Sequence, residues 1–175
     1  MKGTLHMLPC HLTTRVPWAL LAPIVALIFS LILSFTATPA RAGPDQLILR
    51  HDGAETSLAI AELREQADVQ FTFFDPYKAE EVKVRGLVFR DLLEHHFGRV
   101  PTELLFQAWD DYEVSLGGWD DANWILVTHQ NGKPLSLRER GPIRLVERDY
   151  GDRDATNLRN FNDWVWMIRS IEAVR

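Results

Sequence analysis

The sequence predicts one α+β domain made of short strands and short helices. Three observations favour this fold class. Short segments rich in β-branched and aromatic residues recur along residues 43–175, two stretches show helical periodicity, and no repeat or linker divides the region. A chain of 175 residues is long enough for about one ordinary domain. The length and the unbroken pattern therefore exclude a multidomain protein.

Residues 1–42 have the features of a secretory signal peptide. After Lys2 and Arg15 comes an apolar run from Val16 to Phe35, and a segment of small residues then ends at Ala42. This order is typical of a signal that is cleaved during export. An uncleaved membrane anchor is the alternative, because the run is as long as the ~20 residues that span a bilayer. Two prolines inside the run favour cleavage, and we therefore expect a periplasmic protein.

The region after the leader is acidic and free of cysteine. Residues 43–175 number 133 and carry 16 Lys and Arg against 24 Asp and Glu, a net charge of −8. An acidic surface repels phosphate backbones, so nucleic acid is a poor partner. The single cysteine, Cys10, lies in the leader. The mature domain therefore forms no disulfide and offers no thiolate to a metal or a substrate.

The first half of the domain predicts three strands and two helices. Residue types favour strands at 46–50, 69–74 and 82–86, and apolar periodicity favours helices at 58–66 and 89–96. We expect Ser57 to cap the first helix and Gly98 to end the second. In the second helix, His96 is expected on the same face as Phe89 and Leu92.

The second half of the domain predicts strands alone. Their expected positions are 104–109, 112–116, 124–129, 143–147 and 164–174. Turn residues separate them, with Asp110-Asp111 between the first two and Asn131-Gly132 after the third. The start of the last segment also suits a helical turn. Strands and helices in this order place the whole region in one α+β domain.

Three predicted loops combine large aromatic residues with Asp or Asn: residues 109–112, 117–121 and 160–166. A flat heteroaromatic ligand needs a stacking face and hydrogen-bond partners at its edge, and a carboxylate matches the paired N–H groups of a pterin or a guanine. The alternative is that the rings belong to the core, which we favour for Trp124 and Trp166. Trp119 and Trp164 suit either interpretation, because the Gly, Asn and Asp residues beside them suggest exposed turns.

Arginines are concentrated near the third of the loops. Arg138, Arg140 and Arg144 are followed by further arginines at 148, 153 and 159. In an acidic domain such a cluster can form an anion site. The alternative is a set of solvated arginines paired with neighbouring carboxylates such as Glu147. Arg144 follows a Gly-Pro turn at the start of a predicted strand, which can direct its side chain inward.

Metal-dependent and hydrolytic chemistry have little support in the sequence. The histidines after the leader show no H-x-x-x-H or H-E-x-x-H spacing. The serines lack the strand-to-helix setting of a nucleophile. The acidic pairs Asp110-Asp111 and Asp120-Asp121 are candidate general acids or bases, but turn formation explains them as well.

Five segments, in one order, resemble the molybdopterin-binding domain of sulfite-oxidase-type enzymes. They are residues 84–93 (VRGLVFRDLL), 111–114 (DYEV), 124–135 (WILVTHQNGKPL), 141–146 (GPIRLV) and 164–172 (WVWMIRSIE). Together they extend over nearly all of the mature chain. The resemblance implies a sulfite-oxidase-like fold, with mixed β-sheets and short helices, over residues 43–175.

The sequence departs from this family at the metal ligand. In the molybdenum enzymes, a cysteine that precedes the first of these segments binds the metal through its thiolate. The corresponding stretch here, residues 71–77 (FTFFDPY), contains no cysteine. An oxygen of Asp75 is a hard ligand and does not reproduce a soft thiolate. We therefore expect no bound molybdenum, and a molybdopterin-dependent oxidoreductase with a non-cysteine ligand is kept as the alternative.

A small, exported, cysteine-free version of this domain resembles the periplasmic pterin-binding regulators of the PruR type. The resemblance implies a protein that binds a reduced pterin without catalysis. It also implies docking on the periplasmic region of an inner-membrane diguanylate cyclase or phosphodiesterase, and hence regulation of cyclic-di-GMP. A third possibility is a domain that binds no small molecule and acts only as a structural partner.

The same resemblance guides the choice of ligand-binding residues. The predicted set is Trp164 and Trp119 for stacking, Asp111 or Asp163 for the pterin amidine edge, Arg144 and Arg138 for polar contacts, and Tyr112, Asn131 and Trp166 as second choices. No catalytic and no metal-binding residue is predicted.

Overall fold

The computed structural model of the protein describes residues 43–174. Its strands are β1 (Gln46–His51), β2 (Ala54–Ala59), β3 (Val69–Asp75), β4 (Glu80–Val88), β5 (Glu103–Ala108), β6 (Glu113–Gly117), β7 (Trp124–Gln130), β8 (Lys133–Pro134), β9 (Arg144–Glu147), β10 (Val165–Trp166) and β11 (Ile168–Ala173). Its α-helices are α1 (Ile60–Gln66) and α2 (Phe89–Phe97), and 3-10 turns lie at Leu137–Glu139 and Leu158–Phe161. None of the helices within residues 43–174 is long and apolar enough to cross a membrane. The predicted signal peptide, with Cys10, falls outside the described residues.

The strands form two sheets. The first has the order β2-β1-β11-β5-β6, with β1 parallel to β11 and every other pair antiparallel. The second has the order β10-β9-β7-β4-β3, with β8 added beside β7, and its pairs are antiparallel. Mixed pairing together with two short helices confirms the predicted α+β class.

Both helices pack on the central strands of the second sheet, where α1 and α2 each contact β4 and β7. The buried side of α2 consists of Phe89, Leu92, Leu93 and Phe97. The predicted place of His96 on this side is wrong, because the helix extends one residue further and Phe97 takes the buried position. Gly98 ends the helix as predicted, since it adopts a left-handed φ of 67° and its N–H donates to the Glu94 carbonyl at 3.0 Å.

The first helix begins later than the sequence predicts. Residues 54–59 form strand β2, which pairs with β1 along its whole length, and α1 starts only at Ile60. Ser57 therefore lies within a strand and does not cap the helix; its hydroxyl donates to the Gln46 side chain at 2.6 Å. Tertiary strand pairing has overridden the local helix signal.

The C-terminal segment crosses from one sheet to the other. The sequence predicts a single strand at 164–174, but β10 pairs with β9 in the second sheet and β11 pairs with β1 and β5 in the first. Met167 separates them with a left-handed φ of 56°. Its N–H donates to the Arg140 carbonyl at 3.1 Å, and its own carbonyl accepts from the Trp109 N–H at 2.8 Å. Through these two hydrogen bonds, the segment around Met167 is joined to the loops that contain Trp109 and Arg140.

Candidate ligand-binding cavity

An open cavity of about 330 Å³ lies beside this crossover and is called the aromatic cavity here. Its lining consists of four aromatic and two polar residues: Tyr77, Asp110, Tyr112, Asn162, Trp164 and Trp166. Three of the predicted ligand-binding residues, Trp164, Trp166 and Tyr112, are thus brought together. Its volume is at the lower end of the range of about 300–1,000 Å³ that small-molecule sites occupy.

Tyr77 and Trp166 form one wall of the aromatic cavity. Their rings meet edge to face, with centroids 4.6 Å apart and an interplanar angle of 84°. The Arg140 guanidinium lies 4.9 Å from the Trp166 ring centroid and 5.5 Å from that of Tyr77. It therefore makes cation–π contacts with both rings and holds a positive charge next to the cavity. Tyr77 and Arg140 are absent from the predicted set.

Trp164 belongs partly to the core and partly to the cavity wall. It is 3% exposed, and its ring packs against Phe73 and Phe161 with centroid separations of 5.6 and 4.9 Å. Its indole N–H donates to Glu147 Oε2 at 3.1 Å. Since that donor is already used, Trp164 offers a ligand only the apolar part of its ring.

The two polar residues that line the cavity are adjacent in sequence to residues of the predicted set. Asp110 lines the cavity, and its Oδ1 accepts from the Tyr112 N–H at 3.3 Å. Asp111 has a left-handed φ of 65°, its side chain is 90% exposed, and Oδ1 lies 3.8 Å from Arg169 Nη1. The carboxylate that lines the aromatic cavity is therefore that of Asp110, one residue before the predicted Asp111.

Asp163, also in the predicted set, does not line the aromatic cavity. Its Oδ2 accepts from Arg153 Nη1 at 3.2 Å, and Arg153 also pairs with Glu147. Asp163 lines a neighbouring surface groove, whereas the adjacent Asn162 lines the aromatic cavity as well as that groove. The ion-pair cluster fixes Glu147, which in turn holds the Trp164 indole.

The Tyr77 hydroxyl is held inside the site as a neutral donor. It donates to the Phe161 carbonyl at 3.0 Å. Burial raises the pKa of Tyr77 above its usual value, and the nearby negative charge of Asp163 adds to the increase. The phenol therefore stays protonated at neutral pH and connects β3 and the segment after it to the 3-10 turn at Leu158–Phe161.

Trp119 lies in the core and not in an exposed turn. It is 1% exposed, and its ring meets those of Phe89, Phe106 and Trp124 with centroids 5.2, 5.5 and 5.1 Å apart. Aromatic edges from α2, β5 and β7 surround it. The expectation of an exposed stacking face is therefore corrected, because no face of this ring is open to a ligand.

Arg144 points inward as its strand position suggested, but it meets a buried carboxylate and lines no described cavity. It is 2% exposed, and its Nη1 donates at 2.8 Å to Oδ2 of Asp75, which is 0% exposed. The other oxygen of Asp75 accepts from the Tyr77 N–H at 3.0 Å. Arg144 is therefore corrected from a pocket contact to one half of a buried ion pair.

Arg138 and Asn131 lie away from the aromatic cavity. Arg138 is exposed and lines a cleft that also includes Arg64 and Leu137. Asn131 occupies a hairpin turn with a left-handed φ of 50°, and its Oδ1 accepts from the Lys83 N–H at 3.1 Å. Both residues line other cavities, so the structure does not bring them together with Trp164.

The residues that would have to hold molybdenum do not fit the metal. Both oxygens of Asp75 are engaged, one by Arg144 and one by the Tyr77 backbone, and the side chain is fully buried. Within residues 43–174, no group of three or more His, Cys, Asp or Glu side chains is arranged to hold a metal ion. Residues 43–175 contain no cysteine and therefore no soft thiolate.

No model of a known family matches the chain, and no curated protein sequence matches it. One similar solved structure is the sulfane dehydrogenase SoxCD from Paracoccus pantotrophus, at 15% identity and a TM-score of 0.49. The match covers 74% of this chain and 38% of that one, so the chain spans well under half of its neighbour. A likeness of this strength does not establish a shared ligand or reaction.

Proposed function

We propose that the protein is a periplasmic sensor that binds a reduced pterin without converting it. In this proposal it regulates an inner-membrane diguanylate cyclase or phosphodiesterase through the periplasmic region of that enzyme. The aromatic cavity supports the ligand part of the proposal. The partner and the compartment rest on the sequence segments and the leader described above.

The lining of the aromatic cavity carries the ligand proposal. A pterin is a flat bicyclic ring whose pyrimidine edge presents an amino group beside a ring N–H. Trp166, Trp164 and Tyr77 supply aromatic contact surface, and the Asp110 carboxylate can accept two parallel N–H bonds. The Asn162 amide offers both a donor and an acceptor for the remaining ring atoms. The aromatic cavity therefore combines a stacking surface with a carboxylate, which is the combination that a pterin requires.

The surroundings of the cavity favour binding without turnover. The mature chain has no thiolate, and the Asp75 carboxylate is committed to Arg144 and to the backbone. The Tyr77 hydroxyl is likewise occupied by the Phe161 carbonyl. These groups hold the walls of the cavity in place, which preorganises it for a rigid ligand.

Signal transmission requires that the ligand bind the partner-competent form more tightly than the other form. Tyr112 and Asn162 line both the aromatic cavity and the neighbouring surface groove, which has a volume of about 630 Å³. Tyr112 is 47% exposed, so part of its ring belongs to the surface that a partner would meet. A pterin that touches Tyr112 from the cavity side would alter the surface that a partner meets.

The ligand proposal is tested with natively purified protein comprising residues 43–175. We expect mass spectrometry of the released small molecules to detect a pterin, and elemental analysis of the same sample to detect no stoichiometric molybdenum. Tetrahydrobiopterin added to ligand-free protein should raise its thermal midpoint, because a ligand of the folded state stabilises it. Detection of molybdenum with molybdopterin would instead establish the oxidoreductase. A thermal midpoint that no tested pterin raises would refute the sensor proposal.

The partner proposal needs a separate measurement. Binding of the mature protein to the purified periplasmic region of a candidate cyclase or phosphodiesterase should differ between pterin-loaded and pterin-free samples. A coupling of about 5–150-fold is typical of allosteric systems. Equal affinity in both samples would refute regulation by the pterin and leave pterin binding itself unaffected.

A further inference from the structure

A second cavity, with a volume of about 510 Å³, has a basic lining and is called the basic cavity here. Lys83, Arg85 and His129 line it together with the amides Gln70 and Asn131. No Asp or Glu of residues 43–174 is among its lining residues. In a domain with a net charge of −8, two cations gathered without a lining carboxylate form a local exception to the acidic surface.

Strand pairing builds this lining as one row across the second sheet. Gln70 of β3 lies opposite Arg85 of β4, and Arg85 lies opposite His129 of β7. Directly opposite residues project from the same face of a sheet. Lys83 stands two residues before Arg85 on the same strand and therefore shares that face. The Lys83 backbone is fixed at this point, because it exchanges hydrogen bonds with Asn131.

Arg85 has an imidazole as its polar neighbour in this row. Its Nη2 lies 2.7 Å from His129 Nε2 and 3.2 Å from Nδ1, while Nδ1 lies 2.8 Å from the Thr128 hydroxyl. The Thr128 hydroxyl donates to the Arg85 carbonyl at 3.3 Å, and the lowered pKa of His129 keeps its ring neutral at neutral pH. A neutral imidazole does not cancel the guanidinium charge, so the positive charge of Arg85 faces the cavity.

We propose that the basic cavity binds the phosphate group of a small anionic molecule. A guanidinium fork and an ammonium are the two side chains that proteins use for phosphate oxygens. The cavity is much larger than one phosphate group and lies within the size range of small-molecule sites. The Gln70 and Asn131 amides are placed to contact the rest of such a molecule. This inference does not depend on pterin binding, because the two cavities share no lining residue.

Protonation of His129 gives the site a pH dependence. Burial lowers the pKa of His129, and the positive charges of Arg85 on β4 and Arg64 on α1 lower it further. A bound phosphate adds negative charge and raises that pKa, so binding takes up a proton. By linkage, the contribution of His129 to phosphate affinity should therefore increase as the pH falls from about 8 to about 6.

The test is calorimetric titration of the mature protein with pyrophosphate at low ionic strength. We expect saturable binding at one site. Lys83→Gln and Arg85→Gln should each weaken it at least about tenfold. Arg99→Gln, a matched change of an exposed arginine outside the cavity, should leave it unchanged. Lys83 is itself exposed, so the Lys83 variant can be interpreted even if Arg85→Gln impairs folding.

Three outcomes would overturn the phosphate site. They are the absence of saturable pyrophosphate binding, full affinity in the Lys83→Gln protein, and equally tight binding of citrate, which would indicate a carboxylate ligand. The ligand's own titration contributes equally to the pH slope in both proteins, so His129→Gln should change the slope of pyrophosphate affinity relative to the unsubstituted protein, whereas equal slopes would refute the role of His129. Tetrahydrobiopterin affinity of the Lys83→Gln protein should match that of the unsubstituted protein, which keeps failure of this site distinct from failure of the pterin proposal.

Discussion

Two tryptophan clusters have similar local sequences and different environments. Trp119 is followed by Asp120, and Trp164 is preceded by Asp163. Trp119 is enclosed by rings from three elements, while Trp164 is almost as buried yet lines the aromatic cavity. Turn residues beside a tryptophan therefore do not decide whether its ring meets solvent. The elements that pack on the far side of the ring decide it.

The difference between the clusters arises from strand connectivity. The Trp119 ring is closed in by Phe89 of α2, Phe106 of β5 and Trp124 of β7. Beside Trp164, the chain leaves the second sheet at Met167 and continues in the first. No strand continues past this point in the second sheet within residues 43–174. The resulting gap between loops is the aromatic cavity.

Removal of the enclosed ring should have the largest effect on stability. Trp119→Ala deletes a fully buried indole, and we expect the free energy of unfolding to fall by about 3–5 kcal/mol. Urea denaturation followed by circular dichroism measures this change. Trp119→Phe keeps most of the ring volume and should lose less. The prediction would be contradicted if the Trp119→Ala protein had normal stability but no longer bound tetrahydrobiopterin. Trp119 would then be a stacking residue, and the two clusters would not differ.

Loss of the buried ion pair between Arg144 and Asp75 should have the second largest effect on stability. Asp75 is 0% exposed, and Arg144→Ala leaves its carboxylate with the Tyr77 N–H as the remaining partner. We expect a loss of about 3 kcal/mol, because an unpaired buried charge is strongly destabilising. Arg144→Lys keeps a positive charge opposite the Asp75 carboxylate and should recover part of it, because one nitrogen of Arg144 makes the contact.

A double variant controls the ion-pair prediction. Asp75→Asn combined with Arg144→Met removes both charges and should restore most of the lost stability, as replacement of buried pairs by apolar groups often does. Thermal and urea denaturation of the single and double variants measure the coupling between the two sites. An Arg144→Ala protein with unchanged stability and lost pterin affinity would mean that the predicted pocket role of Arg144 was right.

Residue patterns in the sequence were sufficient to predict most of the strands and helices. The strands β1, β3, β4 and β7 and the helix α2 are found close to their predicted positions, because their β-branched runs and apolar spacing agree with their tertiary surroundings. β2 was missed because pairing with β1 overrides a helical pattern. The division of the C-terminal strand at Met167 was also missed, since a left-handed φ at methionine has no signal in the sequence.

The sequence predicted the segments that line the aromatic cavity but not each of its lining residues. The predicted loops do supply Tyr112, Trp164 and Trp166 to one cavity. Which member of Asp110-Asp111 faces the rings depends on the φ of one turn residue, and a pattern of two adjacent carboxylates does not encode it. Arg140 lies between the two predicted arginines, and only the packing of Tyr77 against Trp166 creates a face for its guanidinium.

The smallest effect on stability, and the most informative one on binding, is expected at Trp166. This ring is half-buried and lines the aromatic cavity. Trp166→Ala should weaken tetrahydrobiopterin binding by about 1–3 kcal/mol, the usual value of one aromatic stacking partner. Fluorescence titration measures the dissociation constant. The reduction in stability should be well below that of Trp119→Ala, because less apolar surface leaves the core.

Trp109→Ala is the matched control, since Trp109 is also half-buried and has an arginine, Arg169, 5.9 Å from its ring centroid, yet it does not line the aromatic cavity. Its pterin affinity should stay within about twofold of the unsubstituted protein. Equal losses of affinity in the two variants would indicate general loosening of the loops around Met167 and would remove Trp166 from the site. A loss confined to Trp166→Ala would show that an open ring contributes to binding and an enclosed one to stability.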